Sequence, residues 1–541
     1  MGFSMLDGAD SDYAPTHRTM TDSASSSAPT AASSVSAAPA LSPRVAAYQP
    51  TPDFPFADLQ PVAVWRHFAA LCAIPRQSKH EAALRDHLAA WAEGRGLASE
   101  QDGVGNLVIR KPGSPGREHE AGVILQGHLD MVCQQNSGTG HDFQQDPIRP
   151  VLKDGWLLAE NTTLGADNGI GVALALAALE ADGLSHPPLE VLLTVDEEAG
   201  MGGALGLAPG LLRGRYLINI DTEEWGHLYL GCAGGMDVNV TYPYSSEPAP
   251  AGWTVAKISL TGLSGGHSGI DIHKERGNAI KLLVRLLGEL GQQLGAEAWR
   301  LLQLEGGTAR NALPREAFAT VILDPACLAE IEATLATGAQ ALARELKGVE
   351  NGLSVRLSEL PSLAGPAMAP AAQRQLLAAL NAAPHGVARM SMSVPGIVET
   401  SNNLGVLSVA NGQARANFMV RSLVDSAAQA HARRIADLFG LIGADCQLTD
   451  GYSGWKPNPD SPLLALAQQV YAAQFGGSAQ VEVIHAGLEC GIIGAKYPGL
   501  DMLSFGPTIH GAHAPGERVE VETVARSWQF LVALLAALPR V

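Results

Sequence analysis

The stretch Leu189-Glu190-Val191-Leu192-Leu193-Thr194-Val195-Asp196-Glu197-Glu198 decides the fold that we predict for this chain. An apolar run of strand length ends in three consecutive acids, which is typical of a buried strand that stops at the edge of a parallel sheet. Enzymes with α/β sheets place their chemistry at the carboxyl ends of such strands. Two adjacent glutamates at that edge can divide the work, one binding a metal and the other carrying a proton. A solvated loop is the alternative interpretation of Glu197 and Glu198, and the burial expected for the preceding strand weakens it.

Helices and strands alternate around this stretch. The sequence predicts helices at 62–72, 81–95 (with Ser78 as a candidate cap) and 168–181, and strands at 104–111, 121–128 and 216–221. After residue 231, alternating strands are followed by long helices, and a similar grouping recurs between residues 391 and 440. The α/β pattern returns from about residue 454. We therefore predict an α/β fold with a mixed, mostly parallel sheet flanked by helices, and an inserted α+β domain of two related subdomains.

This pattern divides the chain of 541 residues into three parts. Residues 1–52 form an Ala/Ser/Pro-rich tail that we expect to be disordered. Residues 53–233 and 455–541 form the first and second parts of a catalytic domain, and residues 234–454 form the inserted domain.

Composition excludes several classes of partner. Of the 541 residues 46% are hydrophobic and 17% charged, which is typical of a globular protein, and the formal net charge of −18 argues against nucleic acid. No apolar run reaches the length of a membrane span, and no signal peptide is recognisable. The six cysteines form no CxxC pair, so we expect reduced thiols and a cytoplasmic protein.

Two motifs carry candidate ligands ahead of Glu197. In Leu125-Gln-Gly-His-Leu-Asp130, His128 is a candidate metal ligand and Asp130 could orient its imidazole. A hydrogen-bonded pair near a turn is the alternative. In Leu164-Gly-Ala-Asp-Asn-Gly-Ile-Gly171, Asp167 precedes a helix, where capping is the ordinary role of an aspartate. The surrounding glycines instead indicate backbone packed closely around a site, where this carboxylate could bridge two cations.

Two later motifs complete the candidate set. Asp221 ends the apolar strand in Ile218-Asn-Ile-Asp221, the position of a ligand. His510 and His513 lie three residues apart in one loop, and either could be a ligand. Nitrogen and carboxylate ligands without thiolates suit zinc, cobalt or manganese, and five of them with a bridging carboxylate suit two metal ions.

Together these motifs resemble one family, the co-catalytic di-zinc exopeptidases that include carboxypeptidase G, aminoacylase and bacterial dipeptidases. The resemblance runs from about residue 74 to the C-terminus. It rests on four motifs: Gly127-His-Leu-Asp-Met-Val-Cys-Gln, Leu164-Gly-Ala-Asp-Asn-Gly-Ile-Gly, Thr194-Val-Asp-Glu-Glu-Ala-Gly-Met-Gly-Gly-Ala and Asn219-Ile-Asp-Thr-Glu-Glu.

The resemblance implies a role for each candidate. His128 and Asp221 would bind one metal, Glu198 and His513 the other, and Asp167 would bridge them. Glu197 would be the general base, and Asp130 would support His128. His513 is preferred over His510 because the family's ligand is followed four or five residues later by an acid, here Glu517. Relatives also often carry a cis peptide bond after the bridging aspartate, which here would join Asp167 and Asn168.

The inserted domain resembles the lid of this family. His267, in Ser264-Gly-Gly-His-Ser-Gly, would stabilise the oxyanion. Arg421 would bind the substrate's terminal carboxylate, and Asn311 and Asn402 are further candidate substrate contacts. Ordinary lid surface is the alternative for all four. Whether they serve their own active site or that of a partner in a homodimer stays open.

The activity implied is a metal-dependent dipeptidase acting on Xaa-His dipeptides, including β-Ala-His. Its water would be activated by two divalent metal ions, Zn²⁺ or otherwise Co²⁺ or Mn²⁺, with Glu197 as base. The alternatives are an aminoacylase or amidohydrolase of the same chemistry, and a catalytically silent relative that binds peptides or metal.

Overall fold

The structure, a computed structural model, describes residues 56, 58–295, 298–361, 365–449 and 451–539. The tail predicted at residues 1–52 lies outside these residues. Two large hydrophobic cores organise the rest. One gathers buried side chains from the range 56–233 and from the range 423–538, and the other lies entirely within the range 238–439. The division of residues 53–541 into a catalytic domain and a lid stays a prediction, and we call residues 234–454 the lid segment.

An eight-stranded sheet crosses the first core, in the order β1-β2-β6-β3-β7-β21-β8-β20. Its strands are β1 Ala98–Gln101, β2 Leu107–Lys111, β3 Val123–His128, β6 Leu189–Thr194, β7 Tyr216–Asn219, β8 His227–Cys232, β20 Gln480–Ile484 and β21 Asp501–Ser504. The four central strands β6, β3, β7 and β21 are parallel, whereas β1, β2 and the β21/β8 pairing are antiparallel. This is the mixed sheet that the sequence predicts.

Within the described residues, seven helices accompany this sheet: α1 Val62–Ala73, α2 Ala82–Glu93, α3 Ala166–Glu180, α4 Gly202–Gly206, α9 Pro462–Phe475, α10 Glu489–Lys496 and α11 Val521–Ala537. Helix α3 is apolar on all sides because it is buried between α1 and the sheet. A small sheet, β22-β23-β5-β4, contains β4 Pro150–Lys153, β5 Trp156–Ala159, β22 Ile509–His510 and β23 Arg518–Glu520. In the range 58–539 with its short gaps, no helix is long and apolar enough to cross a membrane.

The lid segment contains a nine-stranded sheet made of two βαββαβ units. The first unit is β11 Thr254–Thr261, α5 Ala279–Leu294, β12 Trp299–Gly306, β13 Ala317–Leu323, α6 Leu328–Glu345 and β14 Ser354–Glu359. The second is β9 Gly234–Pro243, α7 Pro370–Ala382, β17 Val398–Ala410, β18 Gln413–Ser422, α8 Asp425–Gly440 and β19 Asp445–Leu448. A ninth strand, β16 Gly386–Met390, pairs with β17, and the short strands β10 Ser246–Glu247 and β15 Ala367–Met368 pair with each other.

The two units share one topology. In each, the spatial order is fourth, first, third and second strand, and the two second strands, β12 and β17, pair antiparallel to make the sheet continuous. The first unit is inserted in the chain between β9 and the rest of the second. The relation between two subdomains that the sequence predicts is therefore confirmed at the level of topology.

Candidate active site

The five candidate ligands meet at one edge of the eight-stranded sheet. His128 is the last residue of β3, Glu198 follows β6, and Asp221 follows β7. Asp167 lies at the start of α3, and His513 lies in the loop between β22 and β23. Because parallel strands end at the same edge, residues 39 to 346 positions apart along the chain are brought within contact distance.

Asp167 lies between the two histidines. Its Oδ1 is 3.2 Å from Nε2 of His128, and its Oδ2 is 3.2 Å from Nε2 of His513. Nε2 of His128 is also 3.4 Å from Oδ1 of Asp221, and Nε2 of His513 is 3.1 Å from Oε2 of Glu198. The carboxylate of Asp167 thus has one oxygen beside His128 and Asp221 and the other beside His513 and Glu198. We call these five residues the acid cluster.

The start of α3 is shaped around this carboxylate. The peptide bond between Asp167 and Asn168 is cis, as the resemblance implies, and both residues have non-helical dihedral angles. The oxygens of Asp167 face histidines rather than backbone N–H groups, so helix capping is not its role. A Cβ on Gly171 would lie 2.0 Å from the carbonyl oxygen of Ile220, which confirms the close backbone packing predicted from the glycines.

The cluster has more buried negative charge than it can satisfy by itself. Among the described residues, no group donates a hydrogen bond to the buried Oε1 of Glu198 or Oδ1 of Asp221, although Nε2 of His128 lies 3.4 Å from the latter. Burial raises the pKa of Asp221 to about 6, with repulsion from Asp167 and Glu198 adding to it. Hydrogen bonds to Asp167 and Glu198 raise the pKa of His513 to about 11. In this cluster the acids keep their charge only when the neighbouring histidines are protonated. A bound cation could supply the same positive charge, so the site fits a cation.

Distances support the same conclusion. One ligand atom each from His128, Asp167 and Glu198 lies within 4.8 Å of the other two. This donor set of imidazole and carboxylate, without thiolate, suits a divalent metal such as zinc or manganese. The residues present therefore fit a metal centre.

Glu197 lies beside the cluster without joining it. Its Oε2 is 4.0 Å from Nε2 of His128. Burial raises the pKa of Glu197 well above its usual value, and the charges of Asp221 and Glu198 add to the effect. A carboxyl group with a raised proton affinity next to a cation site has the properties of a general base and acid.

Asp130 joins the end of β3 to the backbone that follows β6. Its backbone carbonyl lies 3.1 Å from Nδ1 of His128, its Oδ1 accepts from the N–H of Glu197, and its Oδ2 accepts from the N–H of Glu198. Although burial favours the neutral acid, hydrogen bonds with His128, Ser78 and the Glu197 N–H lower the pKa of Asp130 to about 2. The prediction of Ser78 as a helix cap was wrong: its hydroxyl donates to Asp130 at 2.8 Å, and helix α2 begins three residues later than a cap at Ser78 requires.

The loop between β22 and β23 distinguishes the two histidines. His513 reaches the cluster, whereas His510 is exposed and packs against Trp156. Glu517 does not approach His513 directly. Its carboxylate accepts the backbone N–H groups of Leu164, Gly165, Ala166 and Asp167, at 2.7 to 3.2 Å. This acid therefore holds the segment that presents Asp167.

Two residues that support the cluster were not predicted from the sequence. Arg76 is buried, and its guanidinium donates to the carbonyl oxygens of Leu129, Asp130 and Gly165. Glu489, at the start of α10, is fully buried and accepts from Thr194 and Gln126 at 2.6 Å. Burial raises the pKa of Glu489 to about 7. An acid inside the apolar run 486–495 was the available signal for Glu489.

His267 of the lid segment lies near the cluster of its own chain. Burial lowers the pKa of His267 to about 4, and the charges of Arg421 and His513 contribute. Its Nδ1 accepts the N–H groups of Gly269 and Ile270, which places the single proton of the neutral ring on Nε2. His267 therefore offers one N–H donor.

Arg421 is a buried cation beside His267. Arg421 is 3% exposed, and its guanidinium donates to the hydroxyls of Ser268 and Tyr452 at 3.3 and 3.2 Å. Its Nη2 also lies 3.4 Å from Nε2 of His267, where both nitrogens are donors. Among the described residues no carboxylate lies within 4.0 Å of it. A buried guanidinium without an acidic partner is costly unless an anion completes it, so this is a place for an anionic group of a ligand.

The two candidate asparagines differ. Asn311 is exposed, and its carbonyl accepts from the N–H of Ser268, next to His267. Asn402 is buried in the lid segment, where its amide donates to the carbonyl of Pro384 and its oxygen lies 2.8 Å from Nε2 of His431. The structure thus gives Asn402 a role in the lid interior, and we leave it out of the candidate substrate site.

Comparisons with known proteins give one consistent result. The chain is 42% identical over 481 residues to the cytosol non-specific dipeptidase of Escherichia coli K12, which covers 89% of this chain and 98% of that protein. The crystal structure of aminoacylhistidine dipeptidase from Vibrio alginolyticus has a TM-score of 0.82 at 43% identity, covering 90% of this chain and 98% of that one. Aminopeptidase PepT from Bacillus cereus shares the fold, with a TM-score of 0.52 at 16% identity and coverage of 88% and 99%.

The family comparison covers most of the same range. The sequence model of peptidase family M20/M25/M40 matches residues 124–537. That range includes all five candidate ligands, Glu197 and the whole lid segment. The chain therefore belongs to peptidase family M20/M25/M40, and it is a peptide hydrolase.

Proposed function

We propose that this protein is a metal-dependent dipeptidase that hydrolyses the peptide bond of dipeptides, including those of the Xaa-His type such as β-Ala-His. The observation that carries the proposal is Asp167, with one carboxylate oxygen directed at each histidine and Glu197 alongside. The relatives named as dipeptidases support the substrate class. Their names differ on specificity, one being non-specific and the other acting on aminoacylhistidine, so the histidine preference rests on the second alone.

The cofactor proposed is a pair of divalent cations, Zn²⁺ or otherwise Co²⁺ or Mn²⁺. His128 and Asp221 would hold one ion, Glu198 and His513 the other, and Asp167 both. When bound, such ions supply positive charge that polarises the scissile carbonyl and lowers the pKa of water. The orphaned oxygens of Glu198 and Asp221 support this assignment, because a cation would satisfy them.

The protein's own residues handle the proton and the developing charge. Glu197 takes a proton from the attacking water and later delivers it to the leaving amine nitrogen, for which its raised pKa suits it. His267 donates from Nε2 to the oxyanion of the tetrahedral intermediate. Asp130 keeps His128 oriented and fixes the backbone of Glu197 during both transfers.

Substrate orientation is assigned to Arg421. Its planar fork suits the C-terminal carboxylate of a dipeptide, and binding would neutralise a guanidinium that lacks an acid. Asn311, exposed beside His267, is proposed as a further contact. We also propose a cytoplasmic location, which six free cysteines and the cytosolic relative support, and a homodimer.

A panel of substrates tests the function. Purified protein is stripped of metal, reloaded with zinc, cobalt or manganese, and offered β-Ala-His, Gly-His, Leu-Leu, a tripeptide and an N-acetyl amino acid. We expect metal-dependent cleavage of the dipeptides and none of the acetylated compound. Cleavage of the acetylated compound alone would indicate an aminoacylase. Metal binding without any hydrolysis would indicate a catalytically silent relative.

Replacing the base separates metal binding from turnover. Because the Gln side chain cannot accept the proton, Glu197→Gln should lower kcat by about 100-fold or more while both metals stay bound. Stopped assays and metal analysis measure the two quantities, with the exposed Glu118→Gln as the matched control. Substantial residual activity in Glu197→Gln would show that another group is the base.

Replacing Glu517 tests whether its carboxylate holds Asp167, the residue proposed to bridge the two metal ions. In Glu517→Gln an amide N–H₂ faces backbone donors in place of a carboxylate oxygen, so the Asp167 segment loses hydrogen bonds. We expect metal affinity to fall about 10- to 100-fold. Chelator competition measures this affinity, and Glu522→Gln, at an exposed ion pair on α11, should leave it unchanged. Equal affinities in the two variants would contradict the role of Glu517.

Replacing Arg421 tests carboxylate recognition. Arg421→Lys keeps the charge but loses the fork, so KM for a dipeptide should rise about tenfold or more. The same change should matter little for the C-terminal amide of that dipeptide, which lacks the carboxylate. Arg415→Lys, on the same strand but exposed, is the control. An equal loss on acid and amide would show that Arg421 binds something else.

A further inference from the structure

One short loop between β20 and α10 contacts both halves of the active site. It consists of His485, Ala486, Gly487 and Leu488, and we call it the 485–488 loop. Its first residue contacts the lid segment, and Glu489, which follows it, lies beneath the acid cluster. Neither contact has a part in the proposed chemistry described above.

The contact with the lid segment is a buried hydrogen bond. Nε2 of His485 lies 2.7 Å from Oγ of Ser401 on β17, and both residues are buried. Burial, aided by the nearby charge of Arg421, lowers the pKa of His485 to about 3. The imidazole is therefore neutral near neutral pH, and it can pair with a hydroxyl at little desolvation cost.

Ser401 lies next to the substrate-binding groups of the lid. It is the direct partner of Arg421 in the β17/β18 register. Arg421 in turn contacts Ser268 at 3.3 Å and Nε2 of His267 at 3.4 Å. A side chain that holds Ser401 thus holds the strand pair from which Arg421 projects.

The backbone of His485 also contacts the His267 loop. A Cβ placed on Gly269 would lie 2.1 Å from the carbonyl oxygen of His485 and 3.1 Å from Cε1 of His267. Only a glycine permits this approach. The lid therefore contacts His485 at two independent points, one behind Arg421 and one behind His267.

The other end of the loop is fixed by the catalytic sheet. A Cβ on Gly487 would lie 2.8 Å from Cε of Met201, which immediately precedes α4. Glu489 accepts from Thr194 at the end of β6 and from Gln126 on β3, the strands that lead to Glu197 and His128. The loop is thus anchored to the strands that present the base and a ligand.

We propose that His485 is a positioning residue, which fixes His267 and Arg421 over the acid cluster through its hydrogen bond to Ser401 and its backbone contact with Gly269. The proposal rests on the proposed function, because it assigns His267 and Arg421 to the substrate. It adds that contacts with the catalytic sheet determine where these two lid residues lie relative to the acid cluster. Loss of His485 therefore affects orientation of the substrate rather than metal binding.

Substitutions at the hydrogen bond test the proposal. His485→Ala and Ser401→Ala should each lower kcat/KM for a dipeptide about 10- to 100-fold with metal content unchanged, and the double variant should lose no more than either single one. His485→Gln, whose amide can still pair with Ser401, should recover most of the activity. Additive losses in the double variant would overturn the proposal.

One readout separates positioning from a merely structural role. Wild type should prefer a dipeptide over its C-terminal amide because of Arg421, and His485→Ala should shrink this preference toward unity. A variant that is only less stable would lower both rates equally. Unchanged preference in correctly folded, metal-loaded His485→Ala would contradict the proposal.

A glycine pair keeps the test valid if His485→Ala does not fold. Gly269→Ala adds a methyl group against His485, whereas Gly288→Ala adds one in α5 where nothing lies within 4 Å. We expect Gly269→Ala alone to lower kcat/KM and to increase the radius of gyration by small-angle X-ray scattering. The scattering measurement needs no substrate, so it tests the positioning separately from the function. Inactive wild type would refute the proposed function. Identical scattering of the two variants would refute the proposed positioning.

Discussion

The mutual repulsion of buried carboxylates is the constraint on which the rest of this structure depends. Asp167, Glu197, Glu198 and Asp221 converge at the edge of one sheet, and burial makes their charges costly. Two histidines balance part of that charge, and the orphaned oxygens of Glu198 and Asp221 show that the balance is incomplete. Added positive charge would relieve this repulsion, and a bound divalent cation would supply it.

Much of the surrounding structure keeps these acids in place. Asp130 joins the end of β3 to the backbone after β6, Arg76 joins Asp130 to Gly165, and Glu517 holds the segment that carries Asp167. These contacts use backbone N–H and C=O groups, which cannot rotate away as side chains do. The geometry of the cluster is therefore set mainly by the polypeptide backbone, and a metal ion would meet ligands that are already arranged.

The lid segment shows a different principle. Its two βαββαβ units form a sheet with a hydrophobic core of its own, so its stability does not depend on the acid cluster. It contributes two hydrogen-bond donors to the active site, the cationic Arg421 and the neutral His267. The contacts of the 485–488 loop with Ser401 and Gly269 help to set their position relative to the cluster.

The sequence by itself determined the α/β class and the buried strand that presents Glu197 and Glu198, because an apolar run that ends in consecutive acids fits few structures apart from a buried strand at a sheet edge. Short motifs identified His128, Asp167, Glu197, Glu198 and Asp221 as candidates, whereas His513 was preferred over His510 only through the resemblance to the family. Only the tertiary structure decided that Ser78 binds Asp130 instead of capping a helix, that the side chain of Asn402 bonds Pro384 and His431 within the lid segment, and that Glu489 and Arg76 support the cluster. These roles depend on partners 18 to 363 residues away, and a local sequence pattern does not indicate which distant group a buried side chain will bond.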